Sequence, residues 1–246
     1  MLFPLAVAEI SCVFAGIVLW QFATRRRPYQ LIWAIALLMS GIASAAYVLA
    51  LPPQSNELAF RAYYALGAVL MPAWLGLGSI FLVAPRRLAD RTLAALVNVG
   101  ALGAGAVFVA PINSQVLGQL NGGPGTDVLQ TGAWLPITIL LNTFGVAAVV
   151  GVAILSAVRL VQRQGSRQLV LANGLIAAGD LIVGIAGSMA RTGLPELFWL
   201  TMLAGWIVIF AGFLLTQPAP TPGFRLDTGP SSQPAWAPPA ERTPVA

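Results

Sequence analysis

Asp180 is the one charged residue between Arg167 and Arg191, in the run AAGDLIVG. A lone carboxyl group in so apolar a stretch can serve as an interhelical hydrogen-bonding group, a proton carrier or a cation ligand. Its spacing narrows the setting. Asn173, Ala177, Asp180, Gly184, Gly187 and Arg191 recur at steps of three and four, so on a helix they lie within about 40° of one line. Small residues let helices approach, and polar ones seek partners inside a bundle. This face is therefore expected to point inward. Arg191 lies roughly 16 Å further along the helix, too far to pair with Asp180, and is expected to snorkel to the surface.

The partners available to Asp180 are then neutral: Ser40, Ser44, Asn142, Thr143 and Trp206. Among these it is expected to be neutral and hydrogen-bonded, or to exchange a proton in a cycle. A second pair of charges, Glu9 and Arg61, falls at comparable depth, with Tyr63 close by. An ion pair between them would lower the cost of burying either, or line a vestibule with Tyr63. The candidate polar site thus comprises Asp180, Asn173, Asn142, Glu9, Arg61 and Tyr63.

The residues that are missing exclude more chemistry than the present ones invite. With no histidine, imidazole-bound haem, His-containing metal sites and Ser-His or Cys-His catalysis are ruled out within the chain. The single Cys12 cannot form an intrachain disulfide, and the absence of lysine excludes a retinal Schiff base. No catalytic residue, metal or cofactor is expected, and the chain is not expected to be an enzyme.

The elements that must position these groups are helices in a bilayer. Of 246 residues, 58% are apolar and 9% charged, too little polar surface for a water-soluble globule. The net charge of +5 comes from arginine alone on the basic side, which fits loops facing anionic lipid better than nucleic acid. Seven apolar segments of spanning length run from Leu2–Phe22, Leu31–Leu51, Leu58–Val83, Leu93–Ala110, Trp134–Val158, Leu169–Ala190 and Leu197–Leu215. The first is expected to be retained, since arginines follow it and none precede it. Arg25, Arg26 and Arg27, then Arg86, Arg87 and Arg91, then Arg159, Arg163 and Arg167 mark alternate connections. The other connections carry only Arg61 and Arg191, so the positive-inside rule places the N-terminus outside and the C-terminus in the cytoplasm. The fold class is all-α and polytopic: a seven-helix bundle over residues 1–216 and a tail over 217–246.

The tail holds eight prolines and is expected to be disordered, with Trp236 in QPAWAPP as the candidate anchor for a protein partner. Helices one to three faintly echo helices five to seven, Gly41 falling on Gly179 at an offset of 138, as in a parallel repeat. Pro72 should bend the third helix, and GALGAGA from Gly100 should pack closely. Trp20, Trp33, Trp134 and Trp199 fall near span ends, where interfacial belts form.

The run RAYYALGAVLMPAWLGLGSIFLVAPRR, Arg61 to Arg87, resembles a family of uncharacterised bacterial seven-helix membrane proteins. The resemblance implies the architecture and supplies no activity or site residue. Arginine-only usage with abundant Ala and Gly also points to a GC-rich bacterial source, and hence to the bacterial cytoplasmic (inner) membrane. Two functions follow from the sequence. The first is a non-enzymatic sensor, scaffold or accessory subunit with the tail as adaptor. The alternative is a small proton-coupled or lipophilic-solute transporter using Asp180.

Overall fold

The computed structural model describes residues 2–191 and 197–217, with backbone alone for 188–191. The expected tail and its Trp236 lie outside the described residues. The described residues are all-helical, 83% helix, and among them seven helices are long and apolar enough to cross a membrane. They are α1 (Leu2–Arg25), α2 (Pro28–Ala50), α3 (Glu57–Val83), α4 (Arg86–Val109), α5 (Trp134–Gln162), α6 (Arg167–Arg191) and α7 (Phe198–Leu215).

Several helices outrun the apolar segments that announce them. α4 begins at Arg86 rather than Leu93, and α5 continues to Gln162 rather than Val158. Hydropathy measures what hydrocarbon will accept, whereas the helix continues until its backbone groups find other partners. Short connections then turn the chain. Arg26 between α1 and α2 and Gln164 between α5 and α6 adopt positive φ, 51° and 49°, reversing direction within a few residues. Asn56 caps α3, its side chain accepting from the Ala59 N–H at 2.9 Å.

Neighbour relations define a ring. α1 packs on α2, α2 on α3, α3 on α5, α5 on α6, α6 on α7, and α7 returns to α1. α4 stands outside it, against α3 and α5. Glycines set the closest seams. A β-carbon on Gly179 of α6 would lie 2.8 Å from the Gly205 carbonyl oxygen of α7, and one on Gly76 of α3 2.8 Å from the Gly145 Cα of α5. Gly41 packs instead on Cys12 of α1. The two glycines matched by the faint repeat therefore face different neighbours.

α3 changes its winding at the expected place. Tyr64–Leu70 form a π-helical segment in which the Met71 N–H reaches back to the Leu66 carbonyl. Pro72 follows, and having no N–H it gives nothing to the turn below it. A wider turn immediately before a proline is the local answer to that missing bond.

The longest connection, between α4 and α5, folds back onto the bundle. A short helical turn, Ser114–Gly118, is capped by Asn113, and Ile112 bridges Leu129. Leu117, Val128 and Leu129 are buried. Gly125, at φ 70°, lies so close to Phe60 that a β-carbon would sit 2.7 Å from its ring. Tyr47 donates to the Gly123 carbonyl, and Tyr63 donates to that of Pro124 at 3.3 Å. Two phenols thus tether the loop above the ring.

Candidate functional site

Inside the ring α2, α3, α5, α6 and α7 leave a cavity of about 840 Å³. Asp180 lines it, 4% exposed, and its Oδ2 has no hydrogen-bond partner. The carboxyl group is held there because α6 makes its closest contact one residue earlier. Gly179 meets α7, and the 100° step to the next residue turns Asp180 into the void.

The neutral groups expected at its depth all reach the same cavity: Ser40 and Ser44 from α2, Asn142 and Thr143 from α5, Trp206 from α7. Ser40 is held by Ser11 of α1, Oγ to Oγ 2.9 Å. Asn142 Oδ1 and Trp206 Nε1 are buried without a partner. Asp180 is therefore not held as a hydrogen-bonded fastener, the first of the two roles that the sequence left open. A fastener needs a partner within about 3.2 Å, and among the described residues Oδ2 has none.

Two further expectations need correction. Glu9 and Arg61 do not pair. Glu9 is exposed on α1, while Arg61 Nη1 donates to the carbonyls of Val107 and Ala110 at 2.7 and 2.8 Å. The last carbonyls of a helix lack intrahelical partners and carry its negative pole, so Arg61 acts as a clasp on the end of α4. Asn173 also lies away from the cavity, its amide donating to the Leu169 carbonyl one turn earlier at 2.8 Å. Of the six candidate residues, Asp180, Asn142 and Tyr63 line the cavity.

The tryptophans likewise depart from a belt. Trp20 is exposed, but Trp134 and Trp199 are buried at 3% exposure, and Trp33 donates from Nε1 to the Leu75 carbonyl at 3.2 Å. Reading them as interfacial hid the aromatic wall of the site. Trp199 packs at a tilt of 49° on Tyr47 with ring centroids 4.6 Å apart, and Phe198, Trp199 and Trp206 line the cavity beside Tyr63. The signal was present as spacing. Trp199, Met202, Trp206 and Ile209 follow three- and four-residue steps, and all four face the void.

Among the described residues, Asp180 is the one charged group that lines the cavity. Pro72 and the preceding Gly67 and Ala68 form part of its α3 wall. One edge is made by Ile139 of α5 and by Leu181 and Ile185 of α6, which are 47%, 45% and 53% exposed on the outside of the bundle. The edge of the cavity where α5 and α6 meet is thus apolar. Comparison with family models, curated proteins and solved structures finds no match to this chain. The chemistry of the site rests on its own residues.

Proposed function

We propose that this chain is a multi-pass protein of a bacterial cytoplasmic membrane, N-terminus outside, that carries a lipophilic solute through the Asp180 cavity. One observation carries the reading: a buried carboxyl oxygen without a partner faces a void large enough for a small molecule. Pockets for small ligands run from about 300 to 1,000 Å³ and are mostly apolar with a few placed polar groups, which describes this one. A scaffold gains nothing from an unpaired buried carboxyl group, which costs about 1–3 kcal/mol or more. Stability is given up here for something else.

The α3 wall favours a carrier over a fixed sensor pocket. A π-helical segment before Pro72 is the kind of irregular winding at which membrane helices bend. Alternating access needs one wall to move against another around a fixed site.

The test does not require knowing the solute. In a Cys12→Ser background, a single cysteine replacing Ser44 would be alkylated by a membrane-impermeant reagent in right-side-out and inside-out vesicles separately. A carrier exposes the cysteine to both sides in turn. Labelling from one side only, or from neither, would overturn the transport reading.

A further inference from the structure

We infer that the solute is a lipophilic amine, entering between α5 and α6 and placing its ammonium group beside Asp180. The inference rests on the cavity being the solute site and adds the chemical class. It begins with charge. Among the described residues, Asp180 brings the one carboxyl group to the lining and no arginine joins it. Arg61, the nearest basic residue on α3, is occupied by the Val107 and Ala110 carbonyls. An anionic head would meet the Asp180 carboxyl group in a low-dielectric space with no cation beside it among the described residues.

Hydrogen bonding points the same way. Asp180 Oδ2 and Asn142 Oδ1 are both acceptors, both buried and both without a donor. An ammonium group carries several donors and no acceptor, as a lysine head does, and suits a cavity whose unpartnered oxygens both need a donor. The walls suit a cation as well. Tyr63, Phe198, Trp199 and Trp206 present aromatic rings to the cavity, and ring faces attract cations most strongly where water is excluded. The indole N–H of Trp206, also unpartnered, would meet an oxygen carried near the amine.

The apolar remainder of the ligand has a matching surface. Leu75, Val146, Val150 and Met202 line the cavity beyond the polar groups, and Ile139, Leu181 and Ile185 rim its edge. A hydrocarbon tail can therefore lie across this edge while the head sits at Asp180.

Octylamine, octanol and octanoate share one chain and differ only in the head. Their binding to the full chain in nanodiscs, followed through tryptophan fluorescence, separates the possibilities. Octylamine is expected to bind tightest, at least about tenfold over octanol, with octanoate weakest. Asp180→Asn should erase the amine preference, and Ala147→Phe, which fills the cavity edge, should weaken all binding. Equal binding of the three, or an amine preference unchanged in Asp180→Asn, overturns the amine assignment. If binding is equal yet still blocked by Ala147→Phe, the cavity stands as a solute site and only the class falls. If Ala147→Phe changes nothing, the cavity is not the site and both readings fall. Should Asp180→Asn not fold, Asp180→Leu removes the same charge and should likewise erase the amine preference.

Discussion

Gly76 and Gly145 cross so closely that a β-carbon on Gly76 would lie 2.8 Å from the Cα of Gly145. The contact binds α3 to α5 one turn beyond Pro72, whose carbonyl is itself pressed against Gly145. At this point two helices meet through backbone, with no side chain to give way. Gly145→Ala should therefore force the helices apart and cost about 1–3 kcal/mol. Gly151→Ala on the same helix, where nothing lies within 4 Å, should be neutral or slightly stabilising. Thermal unfolding of the two variants in one detergent checks the contrast; equal losses would mean the crossing is looser than described.

Removing the Asp180 carboxyl group should not weaken the bundle. Its Oδ2 has no partner to lose, and replacing an unsatisfied buried polar group with an apolar one of similar shape is neutral or stabilising. Asp180→Leu is expected to hold or raise the midpoint of unfolding. A drop equivalent to about 1 kcal/mol or more would show that the carboxyl group does fasten helices.

Glu9 and Arg61 should behave independently. Arg61→Leu removes two charge-assisted hydrogen bonds to the end of α4 and is expected to cost about 2–4 kcal/mol. Glu9→Gln, at an exposed position, should cost little. A double-mutant cycle should give a coupling near zero; a coupling of about 1 kcal/mol would restore the ion pair.

The tethers on the long loop can be cut singly. Tyr47→Phe and Tyr63→Phe each delete one bond to the Gly123 and Pro124 carbonyls, with an expected cost of about 1 kcal/mol apiece. The loss should be local. Amide exchange across 122–129 should accelerate while that of the helices stays unchanged, and uniform acceleration would contradict a tether confined to the loop.

The seven helices were legible because a bilayer demands long apolar runs, and Leu2, Trp134 and Leu215 bound them in sequence and structure alike. Asp180 and its five neutral neighbours were legible because helical spacing fixes direction and shared depth fixes proximity. What could not be read was which polar groups would be satisfied. Arg61 looked like a partner for Glu9 because both are charged at similar depth, yet the end of α4 offers two carbonyls that no hydropathy profile registers. The buried tryptophans failed for a related reason. Position along a span says nothing about rotation around it, and Trp199 sits near an end while facing the interior. The folded-back loop depends on tertiary contacts of Gly123, Pro124 and Gly125 that no local pattern carries.

The Arg61 clasp has a mechanical consequence. Its guanidinium rivets the first half of α3 to the far end of α4, and the Ser114 hydroxyl donates to Glu57 at the start of α3 at 2.7 Å. The loop is thus bolted at its base to the same segment that Tyr63 ties near its crest. If α3 swings about its π-helical segment, it pulls the loop with it against the Tyr47 tether to α2. Loop and cavity wall are thus mechanically coupled, because Tyr63 both ties the loop and lines the cavity.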